Sequence, residues 1–153
     1  MITETMAKEI MQSFSEAEGE EFVFDTDWNC SIVSDEERLI NIHYNIELGE
    51  IQLFSIIGQL PEDDESLSED IIRFFMLSNF MWINSMGSTF ALETDNNYIV
   101  LQKSYQYADE INENFKEVIT RFDFELGYWI NTFIHLPEEL DDIDLDSNID
   151  INW

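Results

Sequence analysis

The chain has 153 residues, 44% of them hydrophobic and 14% aromatic, which is enough apolar material for one domain with a real core and excludes disorder. Against 34 acidic residues stand 6 basic ones, and the formal charge of -28 repels nucleic acid and anionic membrane while keeping apolar surface in solution. Cys30 is the single cysteine, so no intrachain disulfide can form and a reducing compartment fits.

Met1-Ile2-Thr3-Glu4 carries neither the basic segment nor the apolar run of a signal peptide, and none is expected. Ile2, Met6, Ile10 and Phe14 recur four apart with Met11 alongside, predicting an amphipathic helix that ends before Gly19. Phe22 to Phe24, then Trp28, Cys30 and Ile32, alternate around the polar turn Asp25-Thr26-Asp27 and read as a first strand. From Ile40 through Ile42, Tyr44 and Ile46 to Leu48 every second residue is apolar, and Gly49-Glu50 turns the chain into a more apolar strand, Ile51 to Ile57. After Pro61 and the acidic loop Glu62 to Glu65, Ser66-Leu67-Ser68-Glu69 has capping-box spacing and opens a helix expected to run from Leu67 to Ser85.

That helix is apolar nearly all round. Ile71, Phe74, Phe75, Ser78 and Trp82 define one face, and Ile72, Met76, Phe80 and Ile83 another, more than one sheet can cover, so a homodimer is expected. Its apolar stretch carries Arg73 and polar breaks, which excludes a membrane span. Beyond Gly87, Thr89 to Thr94 and Tyr98 to Tyr105 read as strands joined by Asp95-Asn96-Asn97. Asp109 can cap a last helix whose stripe from Ile111 through Phe115, Phe122 and Trp129 to Phe133 is expected to stop at Pro137. Residues 137–153 hold seven acids and no base and read as a mobile tail on a single domain, residues 1–136.

Nothing in this order carries a catalytic set. Only His43 and His135 are near-neutral bases, His43 on the polar face of a strand and neither in a motif. Cys30 has no basic neighbour in sequence and reads as a packing residue. No glycine-rich phosphate loop is present, and Asp144-Leu145-Asp146-Ser147-Asn148 starts like a calcium loop but has Ile149 where glycine is required. The chain is therefore not expected to be an enzyme, nor to need a metal or cofactor.

The element order is helix, three antiparallel strands, helix, two strands, helix, an α+β fold with a sheet flanked by helices. Over residues 1–136 the chain resembles the class I type III secretion chaperones, the family of the Tir chaperone. The resemblance is carried by the Cys30-Ser31 strand and by Phe54-Ser55-Ile56-Ile57-Gly58-Gln59-Leu60-Pro61 leading into an acidic loop. Leu77-Ser78-Asn79-Phe80, Gly87 before Phe90-Ala91-Leu92-Glu93, Ile99-Val100-Leu101 and the aromatic final helix complete it. Met86-Gly87 stands where the family often has a glycine pair, and the acidic tail is an addition.

The resemblance implies a small acidic homodimer of the bacterial cytoplasm that serves virulence by binding the N-terminal region of a secreted effector and keeping it extended and secretion-competent without ATP. An extended client offers unpaired backbone and alternating apolar side chains, which a sheet edge and adjoining apolar pockets satisfy. On that basis Ile2, Met6, Ile10, Phe14, Phe22, Phe24, Trp28 and Ile32 are the candidate client contacts. Phe75, Asn79, Trp82 and Phe90 are the candidate dimer contacts. Two other non-enzymatic classes stay open: an acidic immunity protein that plugs a toxin's basic site, and a regulatory domain of the YbjN type.

Overall fold

The structure, a computed structural model, describes residues 1–80, 85–106, 111 and 114–140. Its elements are α1 (Glu4–Glu18), β1 (Asn29–Val33), β2 (Leu39–Asn45), β3 (Glu50–Gln59), α2 (Glu65–Asn79), β4 (Thr89–Glu93), β5 (Tyr98–Tyr105) and α3 (Phe115–Glu139). This is the expected order. The strands form one antiparallel sheet, β1-β2-β3-β5-β4, with β1 and β4 at its edges. Among the described residues, no helix is long and apolar enough to cross a membrane.

Two compact units divide the chain. The first joins Met1–Ser55 to Gln102–Leu126. Here α1 begins at Thr3, whose hydroxyl accepts from the Met6 amide (3.2 Å), and ends at Gly19, which takes the left-handed φ of 71° that closes a helix cheaply only with glycine. Ala7, Ile10, Met11 and Phe14 form its buried stripe. Ile2 precedes the helix and is pinned on both sides: its amide donates to the Gly49 carbonyl (2.8 Å), and its carbonyl accepts from the Tyr44 hydroxyl (2.7 Å). Burial, and after it the charge of Glu4, raises the Tyr44 phenol above its ordinary value, so the hydroxyl stays a donor. β1 and β2 pair in register from Asn29↔His43 to Val33↔Leu39, and Ile40, Ile42, Ile51 and Leu53 fill the core side.

The second unit joins Ile56–Leu101 to the chain from Gly127 on. Its centre is an aromatic cluster. Phe75 lies 4.8 Å from the Phe90 ring, 6.1 Å from Trp129 and 6.3 Å from Phe133, and Phe90 meets Trp129 edge-on at 4.7 Å. Gly58 lets β3 run beneath the Phe133 ring, because a Cβ there would fall 2.3 Å from a ring carbon.

Several element boundaries differ from the sequence expectation. Phe22 to Phe24 pair with no strand, and β1 starts only at Asn29. The Asp25 carboxylate accepts from the Asp27 and Asn29 amides (both 2.9 Å) and Trp28 adopts φ 60°, a turn that separates the two pieces. β2 ends at Asn45, not Leu48, since the Asn45 side chain and carbonyl take the Leu48 and Gly49 amides and leave Ile46 and Leu48 exposed. β3 runs on to Gln59.

The helices also shift at their ends. The cap of α2 is Asp64, whose carboxylate accepts from the Leu67 amide (3.0 Å), rather than Ser66. α2 ends at Asn79, where Phe80 turns extended, well before Ser85; Trp82 and Ile83 lie outside the described residues. So does Asp109; Asn114 accepts from the Glu117 amide at the start of α3 instead. Pro137 does not stop α3, which continues to Glu139. Proline in the last turn forfeits one hydrogen bond, its φ is already helical, and the Leu140 amide still reaches the Leu136 carbonyl (2.9 Å). The rest of the tail, with Asp144 to Asn148, lies outside the described residues.

Candidate functional site

A groove of about 490 Å³ runs between α1 and the extended segment that follows it, with Lys8, Met11 and Ser15 on the helix side and Phe22, Val23 and Phe24 opposite. Its walls are fixed by one hydroxyl. Ser15 Oγ donates to the Met11 carbonyl (2.8 Å) and accepts from the Phe22 amide (2.8 Å), which ties the extended segment to the last turns of α1. Phe22 then stacks on Phe14 at 5.1 Å, and Phe14 meets Phe115 edge-on at 5.3 Å. Phe24 leans on Trp28 (5.7 Å), Trp28 on Tyr44 (5.1 Å), and the Lys8 ammonium sits 5.2 Å over the Trp28 ring.

Past Trp28 the sheet ends in the edge strand β1, with no further strand beside it among the described residues. The Tyr44 amide donates to the Trp28 carbonyl (3.0 Å), so Trp28, Cys30 and Ile32 face β2 with their main-chain groups. Asn29, Ser31 and Val33 therefore turn theirs outward. Both of Asn29's are taken by Asp25, the carbonyl by its amide (2.8 Å) and the N–H by its carboxylate (2.9 Å), while Ser31 and Val33 lie along the edge of the last strand of the sheet. An open strand beside an apolar groove is the constellation that takes up extended polypeptide.

The predicted client residues divide between core and surface. Ile2, Ile10, Phe14 and Ile32 are buried in the chain's own core. Met6 is exposed, and Phe22, Phe24 and Trp28 are half-buried on the groove side. Sequence reading passed over Lys8, Met11, Ser15 and Val23 as groove residues. Their signal was present, since residues 8, 11 and 15 share one helical face, with Met11 at the border of the apolar stripe.

A model of the Tir chaperone protein (CesT) family matches residues 9–123. The chain belongs to that family. Two solved structures agree in fold, ExsC–ExsE and HopA1–SchA. The crystal structure of the ExsC–ExsE complex aligns at 16% identity and a TM-score of 0.69, covering 86% of this chain and 96% of that one. The HopA1–SchA chaperone–effector complex aligns at 15% identity and a TM-score of 0.57, covering 82% and 91%. The Yersinia pestis type III secretion chaperone SycH, in complex with a stable fragment of YscM2, aligns at 15% identity and a TM-score of 0.44, covering 74% and 98%. No curated protein matches the chain by sequence.

In this member of the Tir chaperone family, the residues singled out for dimerisation sit as follows. Phe75 and Phe90 are buried in the aromatic cluster of their own unit. Asn79, at the end of α2, binds the main chain of β4: its amide nitrogen donates to the Phe90 carbonyl (2.8 Å) and its oxygen accepts from the Phe90 N–H (2.7 Å). A strand residue turns both main-chain groups to one side, and β4 is the terminal strand, so Asn79 blocks the sheet's second edge at Phe90. Trp82 is outside the described residues. Met76 is the exposed large apolar residue of α2.

The remaining polar candidates have structural partners. His43 Nδ1 lies 2.9 Å from Asn29 Oδ1 across β1 and β2. Burial, and after it the charge of Asp25, raises the Cys30 thiol above its ordinary value, which disfavours the nucleophilic thiolate. Among the described residues, no group of three or more His, Cys, Asp or Glu side chains is placed to hold a metal ion.

Proposed function

We propose that this protein is a type III secretion chaperone that works in the bacterial cytoplasm as a homodimer and needs no ATP. It binds the N-terminal region of a secreted effector and holds it extended. The observation that carries the reading is the edge strand β1, with Ser31 and Val33 turned outward, joined at its start to the groove of Met11, Phe22 and Phe24 through the Phe24–Trp28 contact. Family membership supports it, as does the likeness in fold to a chaperone–effector complex. An added strand gains main-chain hydrogen bonds from the edge, and its alternate side chains gain apolar cover from the groove. Ordering the client costs about 1–2 kcal/mol per residue in backbone entropy, so useful affinity demands a long segment with many anchors.

Met6, Phe22, Phe24 and Trp28 are the contact residues of this reading, because they present surface. Phe14 is a poor probe: it packs between Phe22 and Phe115, and an aspartate there reads folding instead of binding. The dimer is assigned to the face of α2 that carries Met76 and to the residues that follow it. The acidic tail is assigned no part in folding, and truncation after Leu140 is expected to leave the thermal midpoint unchanged.

The test uses the purified chain and the N-terminal segment of a secreted effector. Hydrogen exchange is expected to gain protection along residues 29–33 and in the client, and Phe24→Asp is expected to weaken binding without moving the melting temperature. A partner bound only as a folded domain, with affinity collapsing in moderate salt, would overturn the chaperone reading in favour of an electrostatic inhibitor.

A further inference from the structure

In the first unit, β1, β2 and β3 turn Ile32, Ile40, Ile42, Ile51 and Leu53 to the core, and the residues between them stand on the opposite face of the sheet. The strand registers set these in rows: Asn29–His43–Gln52, Ser31–Asn41–Phe54 and Val33–Leu39. Every one of them is exposed or half-buried, so this face is uncovered. On β5, which follows β3 in the sheet, Lys103 reaches Glu125 of α3 (3.4 Å), and the alternate residues Gln102 and Ser104 are exposed on the uncovered side.

No Asp, Glu, Lys or Arg stands in those rows, in a chain with 34 acidic and 6 basic residues. An uncovered antiparallel face is where a soluble protein ordinarily puts charge. Here the polar side chains hold one another instead: Ser31 Oγ donates to Asn41 Oδ1 (2.8 Å), and His43 Nδ1 lies 2.9 Å from Asn29 Oδ1. The next row, Asn45–Glu50, does bring a carboxylate, but Glu50 is only 5% exposed and its oxygens accept from the Gln52 and Gln106 amides. At the other end Val33 and Leu39 pair directly while 67% and 52% exposed. Acids resume only past them, in the turn that carries Asp35, Glu36 and Glu37.

We infer that this face docks on a second copy of the chain. Two molecules of formal charge -28 repel each other over most of their surface, and they approach at least cost across a patch free of carboxylates. A basic partner would be drawn to the acidic surface and gains nothing from a neutral face. Asn41, Gln52 and Ser31 each both donate and accept, as a contact between two identical patches about a two-fold axis requires. Four strands of this spacing, with β1 five residues long, span roughly 15 by 17 Å, which belongs to the weak, transient class of contacts. Pairing therefore depends on concentration and strengthens with salt, which screens the surrounding acids. It is separate from the α2 face assigned to the homodimer. It also leaves the main-chain edge of Ser31 and Val33 free, so it stands or falls apart from the chaperone reading.

The pairing is tested on the full chain without a client, by following the amide shifts of isotope-labelled protein as its concentration rises at low and at high salt. Concentration-dependent shifts are expected at residues 29–33, 39–43 and 52–54, and the apparent association constant is expected to grow several-fold with salt. Asn41→Asp keeps the acceptor for Ser31 and puts one charge at the centre of the face. It is expected to abolish the shifts without moving the melting temperature, as is Leu39→Glu at its exposed position, whereas Met76→Glu, aimed at α2, leaves them in place. A nitroxide on Ser104→Cys, in a Cys30→Ser background, is mixed with labelled wild-type chain and is expected to broaden amides 39–43 of that other molecule. Shifts that weaken with salt, broadening that falls on α2 instead, or an Asn41→Asp variant that associates like wild type overturn the inference. So does a face whose shifts change only when an effector segment is added, which would make it a client surface.

Discussion

Phe75→Ala separates a core role from an interface role for the residue that sequence reading assigned to the dimer. Phe75 is fully buried within its own chain, with Phe74, Phe90, Trp129 and Phe133 around it at centroid distances of 5.3, 4.8, 6.1 and 6.3 Å. Truncating a buried Phe to Ala costs about 3–5 kcal/mol, and the loss belongs near the upper end because four aromatic contacts disappear and rigid rings collapse poorly into the space. At about 2–4 °C per kcal/mol for a chain of this size, the thermal midpoint is expected to fall by roughly 8–20 °C. Urea unfolding followed by tryptophan fluorescence, run over a roughly hundredfold range of protein concentration, gives the deciding number, since a core loss is independent of concentration and an interface loss is not. An unchanged midpoint at low concentration, together with a fall in mass by light scattering, would refute the assignment of Phe75 to the core of its own chain.

Other outcomes follow from single contacts. Asn79→Ala strips both main-chain groups of Phe90 of their partner and is expected to cost about 1–3 kcal/mol. It should also speed exchange of the Phe90 amide and raise the apparent mass through edge pairing; unaltered protection of that amide would end the idea that Asn79 closes the edge. Gly58→Ala drives a methyl into the Phe133 ring and is expected to lose about 1–3 kcal/mol by chemical denaturation, whereas Gly19→Ala, with no atom near its Cβ, pays only for its positive φ. Stability is expected to decline as pH rises through the alkaline range. Cys30, Tyr44 and Lys116 all have folded values raised above 9.0, 10.0 and 10.5, so each contribution is complete below those unfolded values and is lost as pH climbs through the folded ones. Melting curves from pH 8 to 11 check this, and Cys30→Ser is expected to delay the onset.

Much of the fold was legible because its elements follow clean periods. The alternation from Ile40 to Tyr44, the four-residue spacing of α1 and the turn at Asp95 to Asn97 name the elements and their order without help. What failed were ends set by side chains bonding back to the main chain. Asp25, Asn45 and Asp64 each set a boundary that hydrophobic pattern cannot see, and Pro137 was overruled because the last turn of a helix tolerates a missing donor. The candidate site was half legible. Apolar periodicity marks Ile2, Ile10, Phe14 and Ile32 as strongly as it marks Met6 or Phe24, since the same pattern serves core and contact surface. Asn79 reads in sequence as a helix residue only; its pairing with Phe90 spans a separation of eleven positions that no local pattern encodes.

The pairing of Asn79 with Phe90 has a bearing on stoichiometry. A sheet with two receptive ends behaves like a bifunctional monomer, in which each added strand brings a fresh end and growth has no natural stop. Here the β4 end is blocked at Phe90 by a side chain of the same molecule, while at the β1 end Ser31 and Val33 line the edge with no strand beyond them among the described residues. A strand added at β4 must displace Asn79 from Phe90, whereas one added at Ser31 and Val33 displaces nothing, so the two ends are unequal. Under the proposed chaperone function, that asymmetry favours adding a client strand at β1 over seeding a fibre from the client.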